Sequence, residues 1–219
     1  SSTRNFRKMN DYFLFILSIL SCYLIGSISF GRIISKLSRN IDITSKGSGN
    51  TGATNVLRNV GISYGFLVLF LDMIKSIIPI LIIENYQFTS INYTTQTAAL
   101  SAILGHCYPV FYKFKGGKGV ATGIGPLFII FIPSAISALI VFTIAVIASR
   151  MVSVGSILGC LVALISMLIF NSMNLFNGSW IDMIYLIPAV SIIIYKHNEN
   201  IKRIISRTEN KLTFKKNES

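Results

Sequence analysis

The sequence predicts an all-α integral membrane protein of about seven transmembrane helices, two of them short, with its active-site loops on the cytoplasmic face. Three observations predict this: the scarcity of charge, the length of the uncharged runs, and the one-sided placement of Lys and Arg. Of 219 residues, 52% are hydrophobic and 13% charged, and the mean hydropathy is +0.64. A soluble domain carries about a quarter of its residues charged. The apolar residues come in long blocks. Tyr12 to Ile34 holds only Arg32, Ile62 to Ile83 holds only Asp72 and Lys75, and Thr94 to Tyr112 holds no acid, Lys or Arg. Val120 to Ser149 and Met151 to Phe170 are uncharged, and Ile181 to Tyr195 carries Asp182 near its edge. Runs of about 18 or more apolar residues read as membrane spans.

Each helix then follows in order. Val120 to Ser149 would be about 45 Å long as one helix, against a hydrocarbon core of about 30 Å. Pro126 and Pro133 interrupt it, and proline breaks or kinks a helix interior, so two short spans turning near Pro133 are expected. The expected helices are 12–35, 62–83, 94–112, 120–132, 134–149, 153–170 and 181–195. Residues 1–219 read as a single polytopic domain, with an external tail at 1–11 and a cytoplasmic tail at 196–219. The chain opens on Ser1-Ser2, and Met9 stands just before the first span, so the first eight residues read as a vector scar or an upstream extension. No small-x-small cleavage pattern follows the first apolar block, which argues against a signal peptide.

Charge sets the orientation. One set of connections holds Arg32, Lys36, Arg39, Lys46 and Arg58, then Lys113, Lys115 and Lys118, then Arg150. The C-terminal tail adds Lys196, Lys202, Arg203, Arg207, Lys211, Lys215 and Lys216, which brings this side to sixteen of the 20 basic residues. The opposite connections, 84–93 and 171–180, hold none. The positive-inside rule places the rich side in the cytoplasm. Arg4, Arg7 and Lys8 run against that rule unless the chain begins at Met9. The net charge of +12 is explained by this bias and by contact with anionic lipid heads, without nucleic acid. Cys22, Cys107 and Cys160 lie in or beside apolar blocks with no metal or redox spacing, and read as inert buried thiols.

Four segments on the basic side carry the candidate chemistry. In Asp42 to Arg58, Gly47, Gly49 and Gly52 let the backbone turn sharply. Ser48, Asn50, Thr51, Thr54 and Asn55 add small polar groups there, and Arg58 adds a forked cation, a set that suits an oxyanion such as phosphate. Gly47 to Gly52 also fits G-x-G-x-x-G, but polar residues precede it and Asp72 lies within a span, so a dinucleotide fold is excluded. In Gly105 to Thr122, Gly116, Gly117 and Gly119 surround Lys118 at the start of a helix, whose free N–H groups favour anions. It is no Walker loop, because Tyr112 and Gly119 stand where Gly and Ser or Thr are required. Ser153 and Ser156 open the next span as possible caps or packing residues. His197 and Asn200, three apart, share a face of any helix continuing past Tyr195. Taken singly, these are a flexible loop, an interfacial lysine, a cap and a solvated basic helix. Together on one membrane face they can converge on one anionic site with room for an acyl chain beside it. Asp72 and Lys75 are expected to face inward as an i, i+3 ion pair, since a lone charge at the bilayer centre costs about 2.5–3.5 kcal/mol. His106 is expected to be an interfacial side chain hydrogen-bonded to a neighbouring loop.

The runs Gly-Ser-Gly-Asn-x-Gly-Ala-Thr-Asn-x-x-Arg at 47–58, Gly-His-x-x-Pro-Val-Phe-x-Lys-Phe-Lys-Gly-Gly-Lys-Gly-Val-Ala-Thr at 105–122 and Ser-Val-Gly-Ser-Ile at 153–157 resemble three motifs of the bacterial acyl-phosphate:glycerol-3-phosphate acyltransferases, the PlsY family. His-x-Glu-Asn-Ile-x-Arg at 197–203 with Thr-Glu-Asn-Lys at 208–211 is similar to that family's C-terminal signature. Ser29 departs from it, standing where the family usually has Pro, a change expected to relax the first helix without touching the site. The resemblance implies a seven-helix enzyme of the bacterial inner membrane, with no metal or nucleotide cofactor. It implies acyl transfer from acyl phosphate to the 1-hydroxyl of glycerol 3-phosphate, the first step of phospholipid biosynthesis. Its partners would be these two substrates, membrane lipids and, as a further candidate, the enzyme that produces acyl phosphate. Carried over by position, Ser48, Arg58, Lys118, His197 and Asn200 would be catalytic. Gly47, Gly49, Asn50, Thr54, Asn55, Gly116, Gly117, Gly119, Ser153 and Ser156 would bind substrate.

The other acyltransferase class uses His-x4-Asp. The residues five after His106 and His197 are Phe111 and Lys202, so a coenzyme A thioester donor is disfavoured. A transporter or flippase for a phosphorylated metabolite is the competing expectation, because broken helices and phosphate loops also suit that task.

Overall fold

The computed structural model describes the backbone of residues 2–212 and the side chains from Lys8 onward. Lys215 and Lys216 of the expected cytoplasmic tail, and the side chains of Arg4 and Arg7, lie outside the described residues. Within them the chain is all-helical: α1 (Ser2–Gly26), α2 (Phe30–Arg39), α3 (Ala53–Asn59), α4 (Ile62–Tyr86), α5 (Thr94–Cys107), α6 (Val120–Ile130), α7 (Ile132–Ser149), α8 (Val152–Ser172), α9 (Met183–Lys196) and α10 (Asn198–Ile205).

Among the described residues, four stretches are long and apolar enough to cross a membrane: Lys8–Arg39, Ile62–Tyr86, Ile132–Ser149 and Val152–Ser172. The pair α9 and α10, bent by 55° at its break, adds a fifth. Large apolar side chains face outward along these helices, among them Phe13, Leu20 and Leu24 of α1 and Ile140, Ile144 and Ile147 of α7. A soluble monomer does not expose so much apolar surface, so these faces meet lipid.

Three expected boundaries are corrected. The first helix is not continuous over 12–35. It ends at Gly26 and restarts at Phe30, because Ser27 and Ile28 turn back on Tyr23, Leu24 and Ile25 and the Ile28 carbonyl is taken by Lys75 Nζ at 2.7 Å. The third helix stops at Cys107 rather than 112. Pro109 forces Tyr108 out of the helical region, to φ −134° and ψ 64°. Of the two spans expected to be short, α6 has 11 residues but α7 runs a full 18, while α5 and α9 have 14 each. The break expected near Pro133 is present: Phe131 is extended and Pro133 sits in the first turn of α7, where its missing N–H costs nothing.

Close packing through small residues holds the helices together. A Cβ on Gly26 would sit 2.2 Å from the Ala102 carbonyl oxygen, and one on Gly105 would sit 2.1 Å from that of Tyr23. These contacts press α1 against α5. Gly155 and Gly159 bring α8 close to α7, where a Cβ would sit 2.8 Å from the Phe142 carbonyl oxygen and 3.1 Å from that of Ala138. A second apolar cluster, Ile43, Val56, Val60 and Val68, pins the 41–60 segment to α4. That anchor fixes the first polar loop over one end of the helices.

Candidate active site

The 42–58 loop is organised by one side chain. Asn55 is 3% exposed, and its Nδ2 donates to the carbonyls of Asn50 at 2.8 Å, Lys46 at 3.0 Å and Ile43 at 3.2 Å. Its Oδ1 accepts from Ser48 N–H at 3.2 Å and from Asn59 Nδ2 at 2.9 Å. Gly47 and Gly49 turn the chain with φ +54° and +68°, a region that favours glycine. Asp42 starts the loop by accepting from the Thr44 N–H at 3.0 Å. The product is a rigid loop that presents Ser48 outward and sends Arg58 from α3 toward the C-terminal segment.

All four polar segments line a single cavity of about 390 Å³. Ser48, Arg58, Lys118, Ser153, His197 and Asn200 share its polar end, and Ile124, Phe128, Phe142, Ala163, Leu186 and Val190 continue it as an apolar arm between the helices. Asn50, Thr54, Asn55, Gly119 and Ser156 also line it. Gly47, Gly49, Gly116 and Gly117 do not: they shape the loops behind the wall. The Ser156 hydroxyl back-bonds to the Val152 carbonyl at 2.9 Å.

At the polar end, Lys118 Nζ donates to Asn200 Oδ1. Asn200 Nδ2 donates to Glu209 Oε1 at 2.8 Å, as does the Ser153 hydroxyl at 2.9 Å. Arg203 Nε pairs with Glu209 Oε2 at 2.8 Å. Arg58 Nη2 reaches the Asn210 carbonyl at 2.9 Å, and the Leu212 N–H bonds the Arg150 carbonyl at 2.7 Å. Residues 209–212 thus strap three of the four segments directly, and Asn200 links Lys118 of the remaining one to them. Sequence reasoning gave Glu209 and Arg203 no role. The signal was that Glu209 is one of only eight acids in the chain and lies in the quoted 208–211 run.

The electrostatics follow from burial. Desolvation, with Arg203, Arg58 and Lys196 adding like charge, brings the Lys118 ammonium down to about 8, against support from Glu209. Arg58 is likewise lowered by burial and by Arg203, with Glu209 opposing. Burial works against the Glu209 carboxylate, but hydrogen bonds from Asn200, Arg203 and Ser153 outweigh it and hold its pKa below the usual range. Burial and then Lys118 bring the His197 imidazolium down to about 4. His197 Nδ1 lies 2.7 Å from the Ile193 carbonyl, which can only accept, so Nδ1 carries the proton and Nε2 keeps its lone pair. His197 and Asn200 share the cavity face of the α9–α10 junction, whereas Glu199 is exposed and pairs with Lys202 at 3.1 Å.

Beside this centre, Asp72 and Lys75 form the expected i, i+3 pair at 2.8 Å. His106 is buried against them and not merely interfacial, with Lys75 Nζ 3.0 Å from its Nδ1. The bond to the neighbouring loop comes from the backbone rather than the expected side chain, the His106 carbonyl accepting from Gly117 N–H at 3.0 Å.

Comparison with known proteins fits this geometry. A family model described as glycerol-3-phosphate acyltransferase matches residues 16–207. A glycerol-3-phosphate acyltransferase of Endomicrobium trichonymphae is 42% identical over 203 residues, covering 92% of this chain and 98% of its own. That of Aquifex aeolicus (strain VF5) is 37% identical over 195 residues, covering 88% and 96%. Two crystal forms of PlsY (YgiH), an integral membrane glycerol 3-phosphate acyltransferase, superpose on the chain at 37% identity. The glycerol 3-phosphate form gives a TM-score of 0.80 and covers 91% of this chain and 96% of its own. The lysophosphatidic acid form gives 0.78, with 91% and 95% covered.

Proposed function

This chain belongs to the glycerol-3-phosphate acyltransferase family and is an integral membrane acyltransferase, and from that premise we propose that it moves a fatty acyl group from acyl phosphate to the 1-hydroxyl of glycerol 3-phosphate. The products are 1-acylglycerol 3-phosphate and inorganic phosphate. The observation that carries this reading is one cavity joining a cationic end, built from all four polar segments, to an apolar arm. Solved relatives in glycerol 3-phosphate and lysophosphatidic acid forms support both the acceptor and the product.

In the reaction the glycerol oxygen attacks the acyl carbon, the ester bond forms, and the bond from acyl carbon to phosphate oxygen breaks. The electron pair leaves with the phosphate. Arg58 and Lys118 hold phosphate oxygens, those of glycerol 3-phosphate included, and offset the charge of the departing phosphate, Ser48 and Ser153 help to seat a phosphate, and His197 with Asn200 orients the glycerol. With a pKa of about 4, His197 is a weak base at neutral pH. Its free Nε2 suits accepting a hydrogen bond from the hydroxyl that attacks. The proton itself passes to a phosphate oxygen of a substrate. Acyl phosphate is already activated, so positioning and charge stabilisation suffice and no protein nucleophile is required.

We further place the chain in the bacterial inner membrane as one polytopic unit crossing it seven times, with the cavity end at the cytoplasm and the N-terminal tail outside. Arg58, Lys118, Arg150, Lys196 and Arg203 at that end support this, as does the lack of Lys and Arg in connections 84–93 and 171–180. The enzyme that makes acyl phosphate is then the expected upstream partner. The relatives found are acyltransferases, and none favours a transporter.

Purified protein in detergent, given acyl phosphate and glycerol 3-phosphate, should release one phosphate per lysophosphatidic acid formed. Absence of release, or release that does not need the acceptor, would refute the assignment.

A further inference from the structure

The reaction above makes no use of the buried Asp72, Lys75 and His106, yet they are among the most buried charged and polar side chains of the molecule, at 2%, 5% and 7% exposure. They come from α4 and α5 and meet at the cavity wall, where Asp72 and His106 are exposed to its lumen. The Lys75 ammonium donates to His106 Nδ1 at 3.0 Å and to the Ile28 carbonyl at 2.7 Å, and stands in an ion pair with Asp72 Oδ1 at 2.8 Å. An ammonium donates and never accepts, so His106 Nδ1 is the acceptor and the ring proton sits on Nε2. The ring can therefore neither flip nor tilt without losing a bond to Lys75.

The held ring edge abuts the glycine loop. A Cβ on Gly117 would lie 2.0 Å from His106 Nε2 and 2.8 Å from Cε1, and one on Gly116 would lie 2.1 Å from the His106 carbonyl oxygen. That same carbonyl accepts the Gly117 N–H at 3.0 Å. Gly117 is thus gripped by the ring on one side and by the backbone on the other, one residue before Lys118. From the far side, the Thr122 hydroxyl ties α6 back to the Asp72 carbonyl at 3.1 Å.

We infer that Asp72, Lys75 and His106 form a charge-neutral brace that positions Lys118, with His106 as the positioning residue that transmits it. Substrate-phosphate affinity depends on this brace because it sets where the Lys118 ammonium stands. The inference rests on Lys118 holding a substrate phosphate as proposed above. It also explains why a membrane helix carries a charged pair in its middle, at a desolvation cost that an apolar pair would avoid.

A double-mutant cycle between His106 and Gly117 tests it, with KM and kcat measured separately in detergent beside melting temperature. Gly117→Ala should raise the KM for glycerol 3-phosphate about tenfold, because the new methyl meets the fixed ring. His106→Asn keeps an acceptor for Lys75 and removes the ring edge. It should raise KM severalfold with kcat and melting temperature little changed, while His106→Phe, which lacks the acceptor, should raise it further. In the His106→Asn background the methyl has room, so Gly117→Ala should add almost nothing. Additive KM effects in the cycle would overturn the brace, as would variants that lose melting temperature with KM unchanged. Should wild type itself release no phosphate, the acyltransferase reading would fail instead, and the two failures are distinguishable.

Discussion

Two clusters of charge are buried a few residues apart along the same cavity, and they are built in opposite ways. Asp72, Lys75 and His106 close on themselves: the Lys75 ammonium is held by the Ile28 carbonyl, His106 and the Asp72 carboxylate, and the charges cancel. Around Glu209 stand Arg58, Lys118 and Arg203, three cations against one carboxylate. The closed cluster is balanced and can only hold a shape. The open cluster carries surplus positive charge beside a cavity, and burial, with that surplus added, depresses Lys118 to about 8. A bound phosphate dianion would supply the missing negative charge, so the imbalance is the mark of the binding site.

Removing a cation from the open cluster should have the largest effect. Lys118→Met is expected to lower kcat/KM about a thousandfold, read from labelled glycerol 3-phosphate incorporation, since it removes a charge aimed at the leaving phosphate. His197→Ala should follow at about a hundredfold, mostly as a higher KM for glycerol 3-phosphate. A loss confined to kcat would instead identify His197 as the base.

Glu209 tests the balance from the other side. Its removal leaves Ser153, Asn200 and Arg203 without their acceptor, so Glu209→Ala should destabilise the protein by about 2–3 kcal/mol in thermal unfolding. The sign with pH follows from a folded pKa below the usual carboxylate range. The stabilisation is complete above the unfolded value of about 4.3 and is lost as pH falls through the lower, folded one. Wild type should therefore lose melting temperature in acid more steeply than Glu209→Gln. The smallest effect is expected in the apolar arm, where Ala163→Phe should shift preference toward shorter acyl chains by a fewfold in kcat/KM while leaving the glycerol 3-phosphate KM unchanged.

The open cluster was more legible in the sequence than the closed one. Ser48, Arg58, Lys118, Ser153, His197 and Asn200 stand in polar segments between apolar blocks on one side of the membrane, and the cavity gathers them all. Asp72 and Lys75 could be paired from their spacing alone. His106 could not be added, because its contact depends on how α5 crosses α4. The break at residues 27–29 was illegible for a similar reason: Lys75, forty-seven residues away in sequence, takes the carbonyl freed there. Glu209 was hidden by its setting in a basic tail that reads as solvated. Asn55, expected to bind substrate, spends its amide on holding the loop, a role that sequence spacing does not distinguish from ligation.

Binding of labelled glycerol 3-phosphate by equilibrium dialysis, from pH 6.5 to 9.5, tests most directly whether the open cluster is the phosphate site. A Lys118 pKa of about 8 in the free protein means that its charge is present below that pH and lost above it. Affinity should accordingly hold up to about pH 8 and then fall tenfold per pH unit. The fall should vanish in Lys118→Arg, which stays charged throughout. Affinity that stays level to pH 9.5 in wild type, or that survives intact in Lys118→Met, would contradict the account.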